Sequence, residues 1–317
     1  MIDFFQNIVF FTLPIFFLIF GTFILLTSSI NILNAKRINK KSVIFFLILL
    51  VIELPILSLN LNAVLYNFFD LIVYNVIGIN IIISSLTILL LIFTKKISIN
   101  SQGLRNDSII LIIITLIIFI FLLDRFIAYY ESLILIIILI IYLIYKIKFS
   151  VTKPNFIDNI MNIFGSSNKS RIVNLITLVL SIMLIVLYAN YFLISLDNVS
   201  LLMNIEKSIL SLTVIPIFYS IIFITKARKS TFFGEQNYSL SLLINFNIVN
   251  ILINFAIIGL NNTNNLENIK LSELSILIIL AISFYIISKF QTELGKKDTF
   301  IYIILLLIYI FMIFLKI

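Results

Sequence analysis

Glu53 is the residue whose type and setting most suggest chemistry. It lies inside an apolar run, VIELPIL, with Pro55 two positions on. A proline removes one backbone donor and frees a carbonyl about one turn earlier. A helix broken there would expose carbonyl oxygens beside a carboxylate, a set of ligands suited to a cation. Asn75 and Asn80 flank Gly78 in YNVIGIN, and Asn245, Asn247 and Asn250 fall in INFNIVN, again within apolar runs. Ser220, next to Tyr219 in IPIFYSII, adds a hydroxyl. Polar groups at such places are costly in a bilayer and commonly mark pathways. The set Glu53, Asn75, Asn80, Ser220, Asn247 and Asn250 therefore reads as a candidate cation site. The plainer alternatives are a carboxylate that snorkels or pairs with an asparagine, asparagines that join helices by side-chain hydrogen bonds, and a serine bonded to its own helix.

These residues are carried by ten apolar stretches, at 8–34, 43–65, 71–94, 108–123, 132–145, 172–195, 208–225, 239–260, 272–288 and 299–315, the fourth and fifth being the shortest. A hydrocarbon core is about 30 Å thick and a helix rises about 1.5 Å per residue, so each is about long enough to cross. The run at 109–123, IILIIITLIIFIFLL, does not alternate, which excludes a β-barrel. Composition agrees: 62% hydrophobic, 11% charged, mean hydropathy +1.22. The first stretch lacks a basic lead and a small-residue cleavage site, so it reads as a mature helix rather than a signal peptide.

Of the 22 Lys and Arg, 18 fall in alternate gaps. Lys36, Arg37, Lys40 and Lys41 follow the first stretch; Lys95, Lys96 and Arg105 the third; Lys146, Lys148, Lys153, Lys169 and Arg171 the fifth. Lys226, Arg228 and Lys229 follow the seventh, and Lys289, Lys296 and Lys297 the ninth. Only Arg125, Lys207, Lys270 and Lys316 lie elsewhere. Basic residues accumulate on the cytoplasmic side, so both termini are expected outside. The reading is an integral protein of a bacterial plasma (inner) membrane.

The longest polar segment, 149–171, separates five stretches in 1–148 from five in 172–317. An odd count inverts the second half, an architecture of secondary transporters. Pro55 and Pro216 fall in matching stretches, and so do the two asparagine sets. The fold class expected is an all-α membrane protein, ten transmembrane helices in two inverted five-helix repeats. Asp70 reads as a carboxylate at a helix N-terminus, Asp124 and Glu131 as members of a solvated loop, and Tyr129, Tyr130, Tyr142 and Tyr145 as interface anchors.

The net charge of +8 is spread over short loops without an aromatic platform, so nucleic acid is not an expected partner. No Cys or His is present, which removes disulfides, thiol catalysis, haem ligation and His-based zinc sites. No Gly-rich phosphate loop occurs. The acids of the basic gaps are few, Asp107, Asp158, Glu235, Glu293 and Asp298, which speaks against an enzyme on lipid-linked substrates. No cofactor is expected, and the oligomeric state is not legible.

The segment 53–92 resembles the first α-repeat of the cation/calcium exchangers. Pro55, Asp70-Leu71, Asn75-Val76-Ile77-Gly78 and Asn80-Ile81 match that family's pattern. In the second half Thr213-Val214, Ser220, Asn247 and Asn250 fit the second repeat, and 104–148 resembles the fourth and fifth helices. The resemblance implies ten helices with both ends outside, alternating access, and antiport of calcium, sodium, potassium or protons. It also implies departures. The glutamate of each repeat is replaced, by Ile56 and by Phe223; the second proline is Ile222; Ile83 and Ser241-Leu242 replace further polar positions; and Glu53 stands at a family serine position. A calcium ion wants roughly six to eight oxygens, several of them carboxylate. One carboxylate suits a monovalent cation or a proton better. The alternative is a transport-inactive relative with a structural or partner-binding role in the membrane.

Overall fold

Isoleucine-rich runs make poor helices in water because β-branched side chains are stiff. In lipid the backbone has no other hydrogen-bond partners, so the same runs must coil. The computed structural model of the chain describes residues 2–35, 41–94, 97–98, 102–149, 170–232, 236–261, 264–266, 269, 271–290, 293–295 and 298–314. Within them lie ten helices: α1 Ile2–Ala35, α2 Lys41–Leu65, α3 Phe69–Thr94, α4 Gln102–Phe121, α5 Tyr129–Phe149, α6 Arg171–Met203, α7 Lys207–Phe232, α8 Gln236–Gly259, α9 Leu271–Phe290 and α10 Thr299–Phe314. Eight are long and apolar enough to cross a membrane; α9 and α10 are shorter apolar helices. Helices continue into polar sequence at several ends, so α4 and α5 reach 20 and 21 residues and the shortest is α10, at 16. Residues 150–169, most of the expected 149–171 linker, lie outside the described residues.

At about 1.5 Å per residue, α1 and α6, of 34 and 33 residues, are each about 50 Å long. That exceeds the hydrocarbon thickness, so both must tilt if they cross it. They pack on each other, with Ser28 Oγ and Thr177 Oγ1 at 2.8 Å and Asn31 Nδ2 donating to Asn174 Oδ1 at 3.2 Å. Inside, α3 packs on α7 and α8, and α2 packs on α8. The helices α3 and α8 are the most deeply buried. The surface shows the reverse of a water-soluble protein: Phe16, Ile141, Ile172, Met183 and Phe311 are exposed, whereas Asn60, Asn75, Asn80, Asn247, Asn250 and Asn254 are fully buried.

The gaps meet in pairs of the same parity. After α3 and after α9, Ile97–Ser98 and Glu293–Leu294 form a two-residue antiparallel strand pair, Ile97 opposite Leu294. After α4 and after α8, Ile127 N donates to Asn264 Oδ1 at 3.0 Å and Leu266 N to the Arg125 carbonyl at 3.1 Å. After α2 and after α6, Lys207 Nζ sits 4.1 Å from the Phe68 ring centre and pairs with Asp197. Among the described residues these contacts join one pair of odd gaps and two pairs of even gaps. The turns after α2 and α6 are tight for a local reason. Asn67 and Asn204 adopt left-handed backbone, φ 58° and 51°, which Asn tolerates. Phe68 N then reaches the Ala63 carbonyl at 2.8 Å and Ile205 N the Ser200 carbonyl at 3.1 Å, capping α2 and α6.

Three local expectations are corrected. The helix α2 runs unbroken through Pro55, so no break bares carbonyls beside Glu53. Glu131 is not in a solvated loop. It is buried in the first turn of α5, where its Oε2 accepts from Ala128 N at 2.8 Å and satisfies a donor that the helix start leaves open. Tyr142 is not an interface anchor: it is buried and its hydroxyl donates to Asn245. Tyr129 and Tyr130 are exposed at the start of α5, Asp124 is exposed, and Asp70 sits in the first turn of α3, as expected.

Candidate functional site

Glu53 falls at the midpoint of α2 and is 1% exposed. Its carboxylate faces α8. Asn254 Nδ2 donates to Oε1 at 2.6 Å, and Asn250 Nδ2 lies 3.1 Å from Oε1 and 3.3 Å from Oε2. Two chains of amides extend from there. Asn80 Nδ2 donates to Asn250 Oδ1 at 2.8 Å. Asn60 Nδ2 donates to Asn254 Oδ1 at 2.8 Å, and Asn75 Nδ2 to Asn60 Oδ1 at 3.0 Å. Along both chains the Nδ2 groups point toward the carboxyl group.

That polarity has a chemical result. With all the NH₂ groups turned inward, the amide oxygens at the far ends are left over. Asn75 Oδ1 and Asn80 Oδ1 are buried without a hydrogen-bond partner, and so is Asn247 Oδ1, whose Nδ2 donates to Ser84 Oγ at 2.8 Å. The Tyr219 hydroxyl is likewise buried and without a hydrogen-bond partner. Buried acceptors are rarely left unpaired. These oxygens keep free lone pairs, the kind of ligand that cations accept.

The structure thus joins Asn250 directly to Glu53, Asn80 through Asn250, and Asn75 through Asn60 and Asn254. Asn247 pairs with α3 beside this group. Ser220 is buried, but its Oγ donates back to the Ile217 carbonyl at 2.6 Å, within its own helix. Asn60 and Asn254 were missed from the sequence, although spacing could have found them. Asn60 is seven residues from Glu53, and Asn254 is four from Asn250 and seven from Asn247, so each shares a helix face with a chosen residue. Asp107, expected in a loop, is 1% exposed within α4, where it meets Lys146 and Asn245. Nothing in its local sequence announces that burial.

The positions that resemble the family's glutamates are closed to ions. Ile56 is fully buried in the apolar core, and Phe223 packs against Phe246 with ring centres 4.6 Å apart. Among the described residues no three acidic side chains gather as a metal site would require.

Fold and interior together define an integral membrane protein built of apolar helices around a buried amide and carboxylate network. Residues 173–317 match the family model of the sodium/calcium exchanger protein. The sodium-calcium exchanger NCX_Mj shares the fold of the whole chain. Soaked with 2.5 mM Na+ and 0.1 mM Ca2+, it aligns with TM-score 0.65 and 18% identity over 96% of this chain and 97% of its own. With 10 mM Na+ and 10 mM Sr2+ the TM-score is 0.64, and with 10 mM Na+ and zero Ca2+ it is 0.62, each at 17% identity over 96% of this chain and 97% of the other. No curated protein matches the chain. The second half of the chain is thus similar to the sodium/calcium exchanger family, and the chain as a whole shares the fold of that exchanger.

Proposed function

We propose that the chain is a secondary-active cation antiporter in which two ions compete for the oxygen-lined site at Glu53. The observation that carries this is the convergence of α2, α3 and α8 on one fully buried carboxyl group, with unpartnered amide oxygens at the far ends of the amide chains that reach it. Glu53 supplies the charge. Asn75, Asn80, Asn247, Asn250 and Ser220 supply neutral oxygens, with Asn60 and Asn254 orienting the amides. A single negative charge favours a monovalent cation or a proton over calcium. Loss of one ion lets the other bind, and rocking of the helices carries the site from face to face.

Two inverted five-helix halves with both termini outside fit this mechanism. Support comes from the packing. Advancing each helix number by five, and wrapping past ten, turns the pairs α2 with α8, α5 with α8, α4 with α8 and α1 with α2 into α7 with α3, α10 with α3, α9 with α3 and α6 with α7, all of which are in contact. The charge pattern supports basic gaps on the cytoplasmic side.

The second reading is a transport-inactive relative with a structural or partner-binding role. The sealing of Ile56 and Phe223 in apolar packing favours it. Flux into proteoliposomes separates the two. Sodium, potassium, proton and calcium gradients are imposed in turn on the purified protein. The antiporter reading expects one monovalent cation or proton gradient to drive counter-movement of a second ion, with calcium the poorest. Absence of flux under every gradient, in protein shown to be folded and inserted, would select the inactive relative.

A further inference from the structure

Away from Glu53 the structure also buries the carboxylate of Asp107, on the side of the odd, basic gaps. Asp107 Oδ2 accepts from Lys146 Nζ at 2.5 Å and from Asn245 Nδ2 at 3.0 Å, while Oδ1 is buried without a hydrogen-bond partner. Asn245 Oδ1 takes the Tyr142 hydroxyl, and its Nδ2 lies 3.3 Å from Ser241 Oγ. An ammonium, a carboxylate, an amide and two hydroxyls from three helices are thus gathered in one place. A buried ion pair is weak evidence for stability, since apolar residues of similar volume often serve as well or better. Stability alone does not account for this one.

Two features connect it to an ion path. One helix, α8, bonds to both of these carboxyl groups: Asn245 reaches Asp107, and Asn250 and Asn254 reach Glu53. At about 1.5 Å per residue, Asn245 and Asn250 are about 7.5 Å apart along the axis, and Asn247 bonded to Ser84 stands between them. Lys146, near the end of α5, has a side chain 11% exposed against 2% for Asp107. Its flexible stem lets the ammonium swing to water.

We propose that Asp107 is a second cation site, at the basic-face mouth of the path to Glu53, with Lys146 as its tethered occupant, displaced when a monovalent cation arrives from that face. The cation takes the Asp107 oxygens, Oδ1 being without a hydrogen-bond partner, and the ammonium moves out to water. The local charge is the same before and after, so no buried carboxylate is left uncompensated during the swap. The site lies on the path proposed above, but its filling does not require Glu53.

The test is the accessibility of the Lys146 amine to acetylation by an N-hydroxysuccinimide ester, read by mass spectrometry on the purified full-length protein. Sodium or potassium chloride is titrated against choline chloride at constant ionic strength, with exposed Lys148 as the internal reference. The expected result is a several-fold rise in the Lys146 to Lys148 ratio with sodium or potassium and none with choline. In Asp107→Asn the ratio is expected to be high without either cation. A ratio in the unaltered protein that does not change with sodium or potassium would overturn the proposal. The same titration in Glu53→Gln separates the two sites. A preserved response places it at Asp107 whatever becomes of transport, and a lost response would assign it to Glu53 and remove Asp107 as a site.

Discussion

At the residue scale the molecule is organised by one side chain. Glu53 orients five amides, and their orientation leaves the acceptors that a cation would use. The residue holding this arrangement is Asn254, which donates to Glu53 at 2.6 Å, accepts from Asn60 at 2.8 Å and was not chosen from the sequence. Leucine there would leave a carboxylate oxygen and an amide donor short of partners in a dry interior. Leaving one such buried group unsatisfied costs about 1–3 kcal/mol, whereas a single interhelical hydrogen bond in a membrane averages only about 0.6 kcal/mol. The first figure governs, because Glu53 stays behind. Asn254→Leu is expected to destabilise the protein by roughly 1–3 kcal/mol, measured by unfolding in mixed detergent micelles. A loss below half a kilocalorie would mean that Asn254 is not holding the carboxylate. Glu53, Asn80 and Asn250 were legible because polar residues are conspicuous in apolar runs. Asp107 was not, because it sits where a polar start meets an apolar run and only tertiary contact buries it.

At the element scale, the ten helices follow from hydropathy, since lipid leaves the backbone no alternative. What hydropathy does not reveal is which helices touch. Gly78 shows how closely α3 and α7 approach. A Cβ built there would lie 2.6 Å from Pro216 Cγ and from the Tyr309 hydroxyl and 2.9 Å from the Leu212 carbonyl oxygen. Both residues were noted in the sequence, but their meeting was not foreseen. Small residues permit such close helix contact in membranes. Gly78→Ala is expected to force α3 and α7 apart at a cost of about 1–3 kcal/mol and to shift Asn75 and Asn80, its neighbours on α3. The checks are the same unfolding measurement and cation affinity, both of which are expected to fall; unchanged values would refute the contact. The break expected at Pro55 did not form. Proline forbids one hydrogen bond, and packing of α2 on α6 and α8 holds the remainder of the helix.

At the scale of the whole molecule, exposed isoleucines surround helices whose asparagines meet inside, and among the described residues three pairs of gaps meet with matching parity. The parity was legible in the basic residues, while the partner of each helix required the structure. The account places the charge of one ion site on one residue, and a neutral isostere removes that charge while keeping the shape. The most direct measurement is gradient-driven cation flux in proteoliposomes of Glu53→Gln beside the unaltered protein, with folding and insertion verified for both. The account predicts that flux is abolished in the variant. Full flux in Glu53→Gln would contradict it and move the transported charge elsewhere in the molecule.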